Sequence, residues 1–436
     1  MNSRRPVLLA AVLVALLVAG VGGMWLMRGK SSLGNVSQVQ VLWSTHTAAR
    51  FEPCGCTAGM NGGLLRRAAL LGKEDQASAL SFEGGGWSAG PEDHLRLRTA
   101  AYLEGLAAAR IDAVGLGRAE VALGEQLLKQ HLATAAAVNL PIVCANLVDA
   151  AGAVVGVPAI RLQAGGKTFL VTSVVPADAS GTGLRASDPA DAVARLTQTA
   201  GSAAVIVLAD LDEQALSELA RAVPSIALVI GGDVGAPSQE PLAVGRTRII
   251  FQANHGKAHG AWTWEEPRCR FTLLADGLPE DRAQRSSVTA LQQLIASTPL
   301  AADQRVPLAS GQPGYAGPAS CTSCHAAAAA VWQSSRHAQA REALTPRGYA
   351  ADPDCLRCHV TGLGKADGWF RRDTRAELAA VSCEACHGPG SEHVASAGKI
   401  PLPPAGPATC VGCHDAENSP HFDYATYWAK IAHGMK

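Results

Sequence analysis

Four pentapeptides near the C-terminus share one form: Cys321-Thr-Ser-Cys324-His325, Cys355-Leu-Arg-Cys358-His359, Cys383-Glu-Ala-Cys386-His387 and Cys410-Val-Gly-Cys413-His414. Two thiols three positions apart can each form a thioether to a vinyl group of one haem. The histidine directly after the second thiol then lies under the iron as its axial ligand. Paired Cys-x-x-Cys is also a zinc signature, but zinc requires no histidine after each second cysteine. All four motifs carry one. The spacing therefore predicts four covalently attached haem c groups, with His325, His359, His387 and His414 as proximal iron ligands.

The second axial position separates electron transfer from catalysis, because bis-histidine iron is saturated and an open iron can bind a small molecule. Residues 311–436 hold eight histidines. With four of them proximal, His337, His393, His421 and His433 remain, enough for four bis-histidine haems or for three and one vacancy. The tryptophans Trp332, Trp369 and Trp428 suit packing against porphyrin faces.

Segments 332–338 (WQSSRHA), 383–393 (CEACHGPGSEH) and 419–433 (SPHFDYATYWAKIAH) resemble the tetrahaem cytochrome c family that accepts electrons from hydroxylamine oxidoreductase, and its multihaem relatives. The resemblance covers 320–434. It implies closely stacked haems, distal ligands at His337, His393 and His433, and room for one five-coordinate haem. Members of that family commonly lack a histidine where His421 stands, which leaves it a further candidate only.

Ahead of this tail, residues 36–275 alternate between strand and helix. Runs at 39–43, 169–175, 203–208, 226–230 and 248–252 are β-branched or aliphatic and end at Gly, Pro or polar residues. Helical stretches at 95–109, 124–136 and 213–222 lie between them, so an α/β sandwich is expected. The order of parts becomes 1–35, a membrane helix and short linker; 36–275, the α/β domain; 276–318, a helix at 288–297 and a Pro/Gly-rich linker; and 319–436, a mainly helical and irregular multihaem domain.

The α/β region resembles the periplasmic 5′-nucleotidase type of calcineurin-like metallophosphoesterase. The resemblance rests on 41–71, including Arg50-Phe51-Glu52-Pro53 and the GGLLRR run at 62–67, and on 142–147 (IVCANL), 226–233 (IALVIGGD) and 252–260. It implies a four-layer sandwich with a double-metal site at the strand ends. Two adjacent divalent metals need a dense set of Asp, His and Asn ligands, and here the matching positions fail in turn. The opening Asp-x-His is His46 and Ala48, the bridging aspartate is Gly86, and the Asn-His pair is Arg118 and Ala119. The later histidines are Asp210, Asp233 and Gly235. A domain retained as a scaffold or docking surface, without phosphatase activity, is the expectation.

The N-terminus sets the compartment. Arg4 and Arg5 precede an apolar stretch at 6–27, closed by Arg28 and Lys30. That length can span a bilayer core as a helix, and a cleaved signal usually has a shorter run. Haem c is attached outside the cytoplasmic membrane, so the body is expected on the periplasmic side of an inner-membrane anchor. In such a compartment Cys54-Gly-Cys56 reads as a disulfide-forming pair, with Cys144 or Cys269 as candidate partners, and a metal or redox role for the two thiols is the alternative. His255 and His259 read as surface or loop residues. Lys plus Arg equals Asp plus Glu at 37 each, so no global field points to nucleic acid. Periplasmic or membrane redox proteins are the expected partners. Two further functions stay open: an oxidoreductase acting on a small nitrogen or sulfur compound at a five-coordinate haem, and a nucleotide- or partner-binding sensor or assembly component.

Overall fold

The computed structural model describes residues 27–28, 38–53, 60–234, 239–372 and 375–434. The apolar stretch at 6–27, apart from Met27, lies outside the described residues, as do Cys54, Cys56 and Gly235. Among the described residues no helix is long and apolar enough to cross a membrane.

Two sheets form the centre of the α/β domain. One runs in the order Cys269–Leu273, Ala258–Thr263, Gln40–Ser44, Ala79–Glu83, Ala113–Gly115, Ile142–Val143. The other runs Met27–Arg28, Ile160–Ala164, Lys167–Val174, Ala204–Ala209, Ile226–Val234, Thr247–Ala253, Leu242–Val244. Successive side chains on a strand point to opposite faces, and both faces here are apolar. In the first sheet Val41 and Trp43 enter the core between the sheets, whereas Leu42 packs on the helices outside. In the second, Ile206 and Leu208 face the inter-sheet core, while Val205 and Val207 join a separate outer core with Leu216 and Leu219. Three apolar seams between helix, sheet, sheet and helix make a four-layer sandwich. The parallel central strands, buried on both sides, read as continuous aliphatic runs for this reason.

The helical layer over the first sheet is tightly drawn in. Helices Leu64–Leu71, Asp93–Ala108, Gly124–Ala137 and Arg282–Ser297 supply it. Asp281 caps the last of these by accepting from Gln284 N at 2.9 Å. Gln284 Nε2 then donates to Gly105 O at 2.7 Å. A β-carbon at Gly105 would stand 2.8 Å from Leu64 and from Gln284, so that glycine permits the helix contact. Val288, Leu291 and Ile295 enter the same core. The helix expected at 288–297 is thus longer, begins at Arg282, and belongs to the sandwich by packing.

From Pro318 onward the described chain folds into short helices, none longer than Ala326–Gln333. Its buried apolar cluster holds only Leu344, Leu356, Val360, Trp369 and Leu378. A core that small cannot stabilise more than a hundred residues unaided.

Charged contacts tie this tail to the sandwich. Arg371 is almost wholly buried and donates to Asp303, and to the carbonyls of Ile295, Thr298 and Ala351 at 2.8–2.9 Å. It thereby satisfies carbonyls at the end of Arg282–Ser297 that have no partner inside their own helix. Tyr349 donates to Glu52, and Arg50 pairs with Glu417 at 2.8 Å.

Candidate functional site

Each cysteine motif sits on a helical turn. Pro353–His359 and Cys383–His387 contain their motifs whole. In the other two, His325 N donates to Cys321 O and His414 N to Cys410 O, both at 2.9 Å. One turn brings the two thiols and the imidazole to the same side.

The turns are packed so that thiols of different motifs meet. Cys321 of the first motif hydrogen-bonds Cys383 of the third, which holds the Cys383 thiol down at about 7. Cys386 of the third lies beside Cys410 of the fourth, and Cys413 of the fourth hydrogen-bonds Cys358 of the second. Their spatial order is therefore first, third, fourth, second.

Three imidazole pairs accompany this row. The ring centroids of His325 and His393 are 6.1 Å apart, those of His337 and His414 6.3 Å, and those of His387 and His433 6.0 Å. Two imidazoles ligating one metal from opposite sides would place their centroids roughly 6 Å apart, given a metal–nitrogen bond of about 2 Å on each side. Each pair joins one motif histidine to one of the three expected distal histidines. His421 is exposed and belongs to none of the pairs.

Tautomers are fixed to suit. His359 donates from Nδ1 to Ala340 O, His387 to Pro403 O at 3.0 Å, His393 to Ile400 O at 2.7 Å and His433 to Ile431 O at 3.0 Å. A donor at Nδ1 leaves Nε2 as the lone-pair nitrogen, the arrangement that orients metal-ligating histidines. Burial holds His337 and His414 below the usual imidazole range, and neutral imidazole is the form that binds metal. Arg341 lies over the Trp369 ring at 5.4 Å with its Nε buried and unpartnered. A cation so placed suits a carboxylate of a bound group. The residues therefore fit haem. Of the three tryptophans, Trp369 is in the small core, Trp332 donates to Val381 O at 2.8 Å, and Trp428 stacks on Tyr424.

The strand ends of the sandwich are arranged differently. His46 Nε2 meets Asp210 Oδ1 at 3.1 Å, and its Nδ1 meets Thr45 Oγ1 at 2.9 Å. Asp210 also accepts from Arg118 N at 2.6 Å. Burial alone would raise the Asp210 carboxyl, but these donors outweigh it and hold it below the ordinary range. Gly86 has φ +78°, and a β-carbon there would be 2.7 Å from the His46 ring. The imidazole fills the space a side chain at 86 would need. Arg118 points away to Asp178, 2.6 Å distant. The Asp233 side chain lies outside the described residues.

Nearby, Glu120 accepts from the backbone N–H groups of Gly86, Gly117 and Ser88 at 2.8–2.9 Å, and burial pushes its carboxyl up to about 7. Glu83 is paired with Arg67 in full burial. Among the described residues, the one metal-like grouping of three ligand side chains is His94, Asp352 and Asp354, and the Arg98 guanidinium bonds both carboxylates. Sequence reasoning passed over this group, since its members lie far apart in the chain. His259 is buried, contrary to its reading as a surface residue, because the strand Ala258–Thr263 lies inside the first sheet. Cys144 and Cys269 are buried free thiols, raised by burial to about 11 and about 12.

Residues 320–388 match the family model "Cytochrome c554 and c-prime". The C-terminal part is cytochrome c554-like. It is 36% identical over 91 residues to cytochrome c-554 of Nitrosomonas europaea, covering 17% of this chain and 39% of that protein. The chain thus spans about two fifths of the curated relative. The sandwich is similar to a 5′-nucleotidase precursor of Thermus thermophilus, with a TM-score of 0.52, 18% identity, and 59% of each chain covered. It is also similar to an NAD nucleotidase of Haemophilus influenzae, with a TM-score of 0.51, 13% identity, and 65% of this chain and 64% of that one covered. At those identities the likeness establishes a metallophosphoesterase-like fold and nothing of its chemistry.

Proposed function

We propose that this protein is a tetrahaem c-type cytochrome that transfers electrons on the outer side of the cytoplasmic membrane, with the sandwich serving as scaffold. The observation that carries the reading is the set of three imidazole pairs with centroids 6.0–6.3 Å apart, each built on a motif histidine. When bound, each haem supplies a one-electron iron couple whose potential the protein tunes through ligation, burial and hydrogen bonding. The eight motif cysteines would tether the groups, and His325 with His393, His414 with His337, and His387 with His433 would each hold one iron between them. His359 would hold the fourth through Nε2, its Nδ1 being engaged by Ala340 O. The contacts between motif thiols support a relay in the order first, third, fourth, second.

The sandwich works as support in this reading because His46 and Asp210 satisfy each other where the related phosphoesterases would need a metal set. The apolar stretch ahead of Met27 anchors the chain in the inner membrane, Met27–Arg28 itself pairing with Ile160–Ala164, and export fits haem attachment outside the cytoplasm. Partners are periplasmic or membrane redox proteins.

Mass spectrometry of the exported protein tests this directly. Four added haem masses, with all eight motif cysteines blocked to alkylation, support it. Native material without them would refute it.

A further inference from the structure

We propose that Arg98 is a positioning residue for the second attachment motif, so that the sandwich tunes the redox potential of the haem bound there. This rests on the reading that Cys355, Cys358 and His359 carry a haem.

The helix Pro353–His359 begins at Asp352, whose side chain caps it by accepting from Asp354 N at 3.1 Å. Asp352 is almost wholly buried, with 1% of its side chain exposed. Its charge is met from the sandwich. Arg98 Nη2 donates to both Asp352 oxygens at 2.8 and 3.0 Å, and Arg98 Nη1 donates to Asp354. His94, one helical turn earlier, meets Asp354 Oδ1 through Nε2 at 3.0 Å. Gln292, on another helix of the sandwich, donates to Asp352 at 3.3 Å. Burial would depress the Arg98 guanidinium, yet the two carboxylates outweigh it and keep it charged.

At the third motif the grip is internal, because Glu384 accepts from Ala316, Gly317 and Gly390 of the tail itself. Near the fourth motif the Arg50–Glu417 pair is much more exposed. The second motif also ends the row of thiol contacts. A terminal haem whose first cysteine directly follows a clamped pair of carboxylates takes both its position and its local charge from the sandwich. Because the guanidinium already engages both carboxylates, the cluster is built as an ion-paired mount and not as a cation site.

The sign follows from charge. Removing the cation leaves uncompensated anions beside the motif, which favours ferric iron and lowers the potential, and neutralising an anion does the reverse. The test uses the full exported holoprotein with optical redox titration of the four components. Arg98→Gln should lower one component and leave three unmoved, Asp354→Asn should raise the same one, and Arg98→Lys should return it toward the parent value. Arg50→Gln, at the other interdomain pair, should leave that component in place. If Arg98→Gln fails to accumulate, Asp354→Asn and Arg98→Lys decide the matter. Unmoved potentials, or all four shifting together, would overturn the proposal while haem attachment stands. A parent protein in which Cys355 and Cys358 alkylate freely would instead remove the cytochrome reading at this motif.

Discussion

His325 and His393 stand with ring planes 24° from parallel and centroids 6.1 Å apart. His325 is the residue before the helix Ala326–Gln333, and His393 lies within the helix Ser391–Ala395. If they share an iron, His393→Ala should turn one of the low-spin signals expected from the three imidazole pairs high-spin, seen as a gain in high-spin resonance in electron paramagnetic spectra. His421→Ala should leave the spectra unchanged, since His421 lies outside the three pairs.

Restoring the missing carboxylate of the sandwich should not restore a metal centre. Gly86 has φ +78°, and its added β-carbon would stand 2.9 Å from His46 Cα and 2.7 Å from the ring. Gly86→Asp is expected to destabilise by roughly 1–3 kcal/mol, measured by denaturant unfolding. Manganese- or zinc-supplemented phosphatase assays should stay at background in both the parent and the variant.

Glu83 and Arg67 are both buried beneath the same strand ends. Burial raises the Glu83 carboxyl above its ordinary range, and Arg67 opposes that rise. Arg67→Met would leave the carboxylate without its counter-charge and should cost about 3–5 kcal/mol. The double variant Arg67→Met, Glu83→Gln should recover most of that loss. A double variant as unstable as the single one would show the pair to be incidental.

Acid should weaken the sandwich through two imidazoles. Burial lowers His131 to about 4 and His259 to about 3. The unfolded chain takes up those protons near pH 6.5, whereas the folded chain resists until about pH 4 or below. Stability is therefore full above pH 6.5 and falls as pH drops from there toward 4. His131→Phe, which keeps a ring against Trp87, should flatten part of that slope in urea midpoints followed by circular dichroism.

Much of this was legible in sequence, for reasons that differ by part. The aliphatic runs at 203–208 and 226–230 announced parallel strands because both of their faces are buried. The four cysteine motifs pointed to haem chemistry because thiol and imidazole must be neighbours in the chain for it. Pairing was hidden, since His393 meets His325 and not a closer histidine, a consequence of how short helices pack. The clamp at Arg98 was hidden as well, because nothing near Asp352 in sequence hints that a helix from the sandwich reaches it. His259 misled for a local reason: the strand that buries it carries Ala258, Gly260 and Ala261 instead of a β-branched run.

One short stretch of backbone serves two neighbours at once. His337 turns its ring to His414, while Ala340, three residues later, accepts the Nδ1 proton of His359. A shift of this stretch would turn one imidazole and change the basicity of the other. A substitution in this stretch should therefore register at both imidazoles at once, although they belong to different motifs.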